Sequence, residues 1–147
     1  MQARRKSIDA ALLRLAAPLP ANFRAADLSS GPAPAPGDAI TLAGFGVTRP
    51  GEPKTGGVLR RAALRAREPI SALLLWAEGE GPGVGACSGD SGAPLLAADG
   101  SLVAIVAWVD GGDRRGCGGV TQGPLVRPLR PWIDGVIGRW NGREPPG

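Results

Sequence analysis

The chain has 147 residues, and its 17 basic and 13 acidic residues give a formal charge of +4; the basic residues are scattered among acids with few aromatics, which excludes a concentrated nucleic-acid-binding face. Apolar residues make up 43%, which excludes wholesale disorder, and no apolar run reaches the roughly 18 residues that a membrane-spanning helix needs. With no histidine and only two cysteines, the chain has too few soft ligands for a zinc site, and we expect neither a metal nor another cofactor.

Glycine and proline punctuation divides the N-terminal half into short elements. The first 21 residues have a basic start and an Ala/Leu stretch, but Asp9 and Arg14 interrupt the apolar part, so we predict no signal peptide. Residues 7–15 are predicted to form a strand, and residues 17–37, which contain GPAPAPG, a loop. AITLAGFGV (39–47) is typical of a strand, followed by an exposed connection over 49–57.

The C-terminal half continues this pattern and ends differently. Residues 58–68 fit a strand but also a helical stripe, and residues 70–78 fit a buried strand or a short helix. Six glycines predict an irregular loop over 79–92. Residues 93–109 contain two apolar runs around Asp99-Gly100, which indicates a hairpin. After a glycine-rich loop (111–119), helical spacing of apolar residues within 126–140 predicts a C-terminal helix that packs on an all-β body.

One stretch carries a chemical signal: GACSGDSGAPLL (85–96). It puts Ser91 in a glycine-rich loop before an apolar strand, where the backbone can turn tightly and expose a side chain. Gly89 can bring its N–H toward the same point as the N–H of Ser91, and two such donors stabilise an oxyanion. The alternative is a glycine-rich turn with a surface serine.

In its longer context this stretch resembles the active-serine segment of the chymotrypsin/trypsin family of serine peptidases. Further segments that resemble the family recur in its order: IDAALLRLAAPL (8–19), AITLAGFG (39–46), LVAIVAWV (102–109), Cys117 and PLRPWI (128–133). The resemblance implies an all-β fold, a trypsin-like double β-barrel that lacks most of its N-terminal barrel and ends in a helix. About 1–30 would be a remnant of the first barrel, and about 38–147 the second barrel with the helix.

The resemblance also implies residue roles. Ser91 would be the nucleophile, Gly89 and Ser91 would supply the oxyanion hole, and Asp9 would orient a histidine; a surface or helix-capping aspartate is the alternative for Asp9. Taken alone, Cys87 and Cys117 fit either a disulfide or two small buried residues. The family pairs them, which implies an oxidising compartment and a secreted or periplasmic location for the complete protein.

The floor of the specificity pocket can be compared with the family in the same way. Gly85, followed by Ala86, stands where members that cleave after Arg or Lys carry an acid. Val109, after Trp108, stands where roomy pockets have glycine, and Thr121 would narrow the pocket further. We therefore expect a preference for small apolar P1 residues and poor cleavage after basic ones.

The chain has no histidine to act as general base. In the family this histidine lies upstream of the aspartate, so one hypothesis is a truncated serine endopeptidase that acts on protein or peptide substrates and is a monomer when complete. We expect this chain alone to be nearly inactive. The alternative is a non-catalytic homologue that acts as a protein-binding module. Neither hypothesis involves nucleic acid or a membrane.

Overall fold

The computed structural model describes residues 8–110 and 117–142. Within them lie seven strands and one α-helix: β1 Ala39–Gly44, β2 Arg60–Arg67, β3 Leu74–Gly79, β4 Pro94–Leu96, β5 Leu102–Ile105, β6 Trp108–Asp110, β7 Val120–Pro124 and α1 Arg130–Trp140. Two 3-10 turns, Pro53–Thr55 and Arg127–Leu129, complete the regular structure there. No helix in these ranges has the length and apolar character to cross a membrane.

All seven strands belong to one antiparallel sheet with the order β5-β4-β1-β2-β3-β7-β6. The sheet curls so that β7 and its continuation reach β5: Ala104 bridges Leu125, and the N–H of Val126 donates to the carbonyl of Val103 at 2.8 Å. Gly123 permits this approach, because a Cβ there would overlap the carbonyl of Ile105. These contacts close the sheet into a barrel.

The interior of the barrel follows from alternation along the strands. Side chains two residues apart point to the same face, and in β1, β2 and β3 the inward positions are apolar and buried. The register sets Ile40 opposite Leu64 and Ala66 opposite Ala77. The buried cluster comprises Ile40, Leu42, Leu64, Ala66, Leu75, Ala77, Ala86, Leu95, Val103, Ala104, Val106 and Leu125. All its members lie between residues 40 and 125.

The strand predicted for residues 7–15 is wrong over its described part. Residues 8–15 contain no strand, and Leu13 is 85% exposed. A strand needs a neighbour to accept its N–H groups and donate to its carbonyls, and no described strand lies beside this segment. The first pairing with the barrel comes only at Leu28, which bridges Leu102.

The predicted C-terminal helix exists over Arg130–Trp140, but its packing is looser than expected. No residue of α1 is buried, and Trp132 and Ile137 are each 42% exposed. The apolar face therefore meets the barrel only in part.

The remaining expectations for the barrel are confirmed. Residues 58–68 and 70–78, for which helical alternatives existed, form β2 and β3, and residues 80–92 contain no regular element. Residues 93–109 contain the β4–β5 hairpin with Asp99 in its turn. Two hydrogen bonds from Ser101 hold the pKa of the exposed Asp99 carboxyl below its ordinary value. The larger effect comes from the backbone N–H of Ser101 and the smaller one from its hydroxyl. Most of the predicted 111–119 loop lies outside the described residues.

Candidate active site

Ser91 lies in two successive tight turns between β3 and β4. The N–H of Asp90 donates to the carbonyl of Cys87 at 3.0 Å, and the N–H of Ala93 donates to the carbonyl of Asp90 at 2.9 Å. The third residue of each turn is a glycine with positive φ, +94° at Gly89 and +83° at Gly92, as a type II turn requires. Between the two glycines Ser91 is exposed. The sequence thus presents a serine hydroxyl at the tip of a rigid loop.

The backbone around Ser91 also presents unused donors. The N–H of Val47 donates to the carbonyl of Ser88 at 3.0 Å. Because the Ser88–Gly89 peptide is trans, the N–H of Gly89 points away from Val47. Neither this N–H nor that of Ser91 donates to any residue in the described part of the chain. Both remain available to an oxygen anion.

The Asp90 side chain holds the Ser91 loop in place through buried hydrogen bonds. Its carboxylate is 7% exposed and accepts the N–H of Gly46 at 2.8 Å and the N–H of Cys87 at 2.9 Å. Gly44 and Gly46 must be glycines, because a Cβ at either would overlap the Asp90 carboxylate. No described basic side chain forms an ion pair with it. A cavity of about 530 Å³ opens beside it and reaches Gly118.

A smaller cavity, about 220 Å³, lies directly beside Ser91. Ala86, Trp108 and Val109, which were assigned from the sequence to a specificity pocket, line it, and Trp108 is 52% exposed at its edge. Gly85 instead lines the neighbouring 530 Å³ cavity, and Thr121 lies behind Ala86.

The back of this pocket is closed by two contacts. Val109 in β6 pairs directly with Thr121 in β7. The hydroxyl oxygen of Thr121, which is fully buried, accepts the N–H of Ala86 at 3.0 Å. At Gly85 an added Cβ would lie 2.6 Å from the carbonyl oxygen of Gly119. The structure therefore leaves no room for an acidic side chain at position 85.

The Cys87–Cys117 disulfide is confirmed, with a sequence separation of 30. Next to it the N–H of Gly118 donates to the carbonyl of Ala86 at 2.9 Å. These two links join the irregular segment that leads into β7 to the loop that carries Ser91. They hold both walls of the pocket together.

Comparison with known proteins now identifies the family. The sequence profile of the trypsin family matches residues 2–133. The chain belongs to the trypsin family. Comparison with curated proteins finds no match.

Among solved structures, this trypsin-family chain is similar to an engineered variant of human heparin binding protein, with a TM-score of 0.72 and 23% sequence identity. The alignment covers 89% of this chain and 56% of that one. It is also similar to mouse neuropsin, a serine protease, with a TM-score of 0.68 and 22% identity, covering 82% and 57% of the two chains. The chain thus spans a little over half the length of these neighbours. At these identities the similarity shows the trypsin-like fold.

Asp9 is not brought into contact with Ser91. It is exposed and forms no hydrogen bond or ion pair with any described residue. The loop and the pocket wall are therefore assembled within the barrel, whereas the role of Asp9 stays a prediction.

Two contributors to the trypsin-family site were not singled out from the sequence. Gly46 holds the Asp90 carboxylate and Val47 orients the Ser88–Gly89 peptide, both through backbone N–H groups. The only signal available was the Gly-Phe-Gly end of β1, residues 44–46, whose small residues permit the close approach to Asp90.

Proposed function

We propose that this trypsin-family chain carries the nucleophile barrel of a serine endopeptidase, with Ser91 as the nucleophile. The observation that carries the proposal is the exposed Ser91 beside two unpaired N–H groups, its own and that of Gly89. A serine hydroxyl next to two N–H groups that donate to no described residue fits acyl transfer, because charge develops on the substrate carbonyl oxygen as the hydroxyl attacks.

In the proposed reaction the Oγ of Ser91 attacks the scissile carbonyl while its proton passes to a base. The tetrahedral oxyanion accepts hydrogen bonds from Gly89 and Ser91, the proton goes to the leaving amine as the C–N bond breaks, and water then hydrolyses the acyl-serine ester. The base must be a histidine supplied from outside these 147 residues, which contain none. Asp9 would orient that histidine. Without it the hydroxyl keeps its proton, so the chain alone should be nearly inactive.

The pocket supports a preference for small apolar P1 side chains. The cavity beside Ser91 holds about 220 Å³, and its described lining contributes no acidic group. An Arg or Lys at P1 would leave a cation without a partner, which is costly in a desolvated site. We therefore assign Ala86, Trp108 and Val109 to a shallow P1 pocket for Ala- or Val-sized residues. Thr121 supports this pocket from behind Ala86, and Gly85 borders it from the neighbouring cavity.

The complete protein would be a secreted or periplasmic monomer acting on protein or peptide substrates, since the disulfide favours an oxidising compartment. A second candidate function is a non-catalytic protein-binding module. The absence of histidine favours it, and one structural neighbour is called heparin binding protein. In that case the unpaired N–H groups at Ser91 would have no catalytic use.

The test is covalent labelling with a fluorophosphonate, located by peptide mass spectrometry. The isolated chain should label slowly or not at all. The same chain expressed in frame with its upstream genomic coding sequence should label rapidly at Ser91, and Ser91→Ala should abolish this. Ser88→Ala is the matched control, because Ser88 is an exposed serine of the same loop and its loss should leave labelling intact.

One result would contradict the need for an external base, and another would contradict the peptidase proposal itself. Rapid stoichiometric labelling of the isolated chain would show that no external base is required. A lack of labelling in the extended protein, with its fold intact, would favour the binding module. In the active extended protein, peptide p-nitroanilides with Ala or Val at P1 should be cleaved faster than those with Arg.

A further inference from the structure

A third cavity lies between the barrel and the segment of residues 30–36, which we call the proline arch. The arch is anchored at both ends: the N–H of Ser29 donates to the carbonyl of Leu102 at 2.9 Å, and the N–H of Gly37 donates to the carbonyl of Ala66 at 2.8 Å. Between these anchors no backbone hydrogen bond joins the arch to the barrel. The chain therefore spans the gap as a bridge.

The prolines explain why the arch does not collapse onto the barrel. Pro32, Pro34 and Pro36 have no N–H group, so they need no acceptor there, and their rings fix φ near the extended range. The space underneath is about 350 Å³, at the lower end of the roughly 300–1,000 Å³ typical of ligand sites. An open cavity is thus built into the local sequence.

The cavity is lined mainly by apolar groups. Val103 of β5 and Leu125, which follows β7, line it and are 5% and 4% exposed, and Ala72 and Pro128 lie on other sides. Water gains few hydrogen bonds from such a lining, whereas a hydrocarbon group gains dispersion contacts and leaves water. The interior suits an alkyl or aryl group.

Two polar side chains also line this cavity. Arg127 is exposed and pairs with no acidic residue in the described ranges, whereas Arg130, three positions later, binds Asp134 at 3.0 Å. Ser29 lines the same cavity, and its hydroxyl makes no hydrogen bond to any described residue. A guanidinium and a hydroxyl that line one cavity and pair with no described residue suit a carboxylate, which can accept hydrogen bonds from both.

We propose that the cavity under the proline arch binds a small carboxylate with a short apolar chain, its carboxylate at Arg127 and Ser29 and its chain over Val103 and Leu125. Ser91 takes no part, so the site is independent of the proposed peptidase function. The probe is octanoate, compared with octylamine and octanol, which have the same chain with a cationic or a neutral head.

Isothermal titration of the whole chain should give a dissociation constant on the order of 1 mM for octanoate, and weaker or no binding for the other two probes. Arg127→Gln should weaken octanoate binding roughly tenfold, because it removes the cation at the site. Arg130→Gln is the matched control and should bind octanoate as the wild type does. Ala72→Trp, an exposed position on the cavity wall, should block binding. Ser91→Ala should have no effect.

A second readout locates the ligand without relying on any variant. Octanoate should shift the methyl NMR signals of Val103 and Leu125 and leave those of Val109, beside Ser91, unchanged. Circular dichroism checks that each variant is folded. The proposal is overturned if octylamine binds as well as octanoate, if Arg127→Gln and Arg130→Gln behave alike, if the shifts appear at Val109 instead, or if no probe binds.

Discussion

Replacing Thr121 with Val should destabilise the barrel, because it keeps the shape of the side chain and removes one hydrogen-bond acceptor. Thr121 is fully buried and accepts the N–H of Ala86, itself 1% exposed, at 3.0 Å. Leaving that N–H buried without a partner costs about 1–3 kcal/mol. Since Val fills the same volume, no cavity adds to this cost. The free energy of unfolding should fall by about that amount.

Thr121→Ser is the matched control, because it keeps the hydroxyl and removes only a methyl group. Loss of a buried methyl costs about 0.5–1.5 kcal/mol, and each 1 kcal/mol lowers Tm by roughly 2–4 °C in a chain of this size. Thermal denaturation, monitored by circular dichroism, measures the Tm of the wild type, Thr121→Ser and Thr121→Val. Amide hydrogen exchange at Ala86 should accelerate in Thr121→Val and stay slow in Thr121→Ser. If Thr121→Val is as stable as the wild type and the Ala86 amide remains protected, the hydrogen bond does not close the pocket.

Three further predictions concern the loops around Ser91 and the hairpin turn. Gly85→Ala should lower the free energy of unfolding by about 1–3 kcal/mol through overpacking, since its Cβ would lie 2.6 Å from a backbone oxygen. Gly81→Ala in the same loop is the control: its Cβ meets nothing nearer than 4.0 Å, so it should be neutral or slightly stabilising. Urea denaturation measures both variants, and equal effects would contradict the prediction. Replacing Cys87 and Cys117 together with Ser should lower the free energy of unfolding by about 3–4 kcal/mol for a separation of 30 residues, and a reductant should then have no further effect. NMR titration of Asp99 should find the pKa of its carboxyl below the ordinary value. The stability that the ionised Asp99 contributes to the turn should be present above the ordinary pKa and be lost as pH falls through the lowered pKa. A titration midpoint at the ordinary pKa of an aspartate would refute this prediction.

Most strands of the barrel were predictable because turn residues and apolar runs close together in the sequence specify them. The runs around Asp99-Gly100 specify a hairpin, and glycines between β3 and β4 exclude regular structure there. Residues 58–68 were ambiguous because their apolar residues also fit a helical stripe: Val58, Leu59, Ala62, Ala63 and Leu64. The pairing of Leu64 with Ile40 decided for a strand, and such pairing depends on residues distant in sequence.

Residues 8–15 show the opposite case. Their apolar content favours a strand, but a strand forms only where a neighbour satisfies its backbone, and composition does not reveal the neighbour. In the candidate site, Ser91 and Gly89 were singled out from a motif, and their catalytic roles stay predictions. The N–H contacts from Gly46 and Val47 were missed because they join segments more than 40 residues apart. The opposition of Val109 and Thr121, which crosses the 111–119 loop, also required the strand register.

The link between Val103 and Val126 has a consequence for how this polypeptide can be used. Since β5 and the end of β7 complete the ring, the buried cluster of the described residues takes no side chain from residues 8–27. Different N-terminal partners could be fused to this unit without redesigning its centre. The pocket wall formed by the paired residues Val109 and Thr121 would be carried along with each transplant.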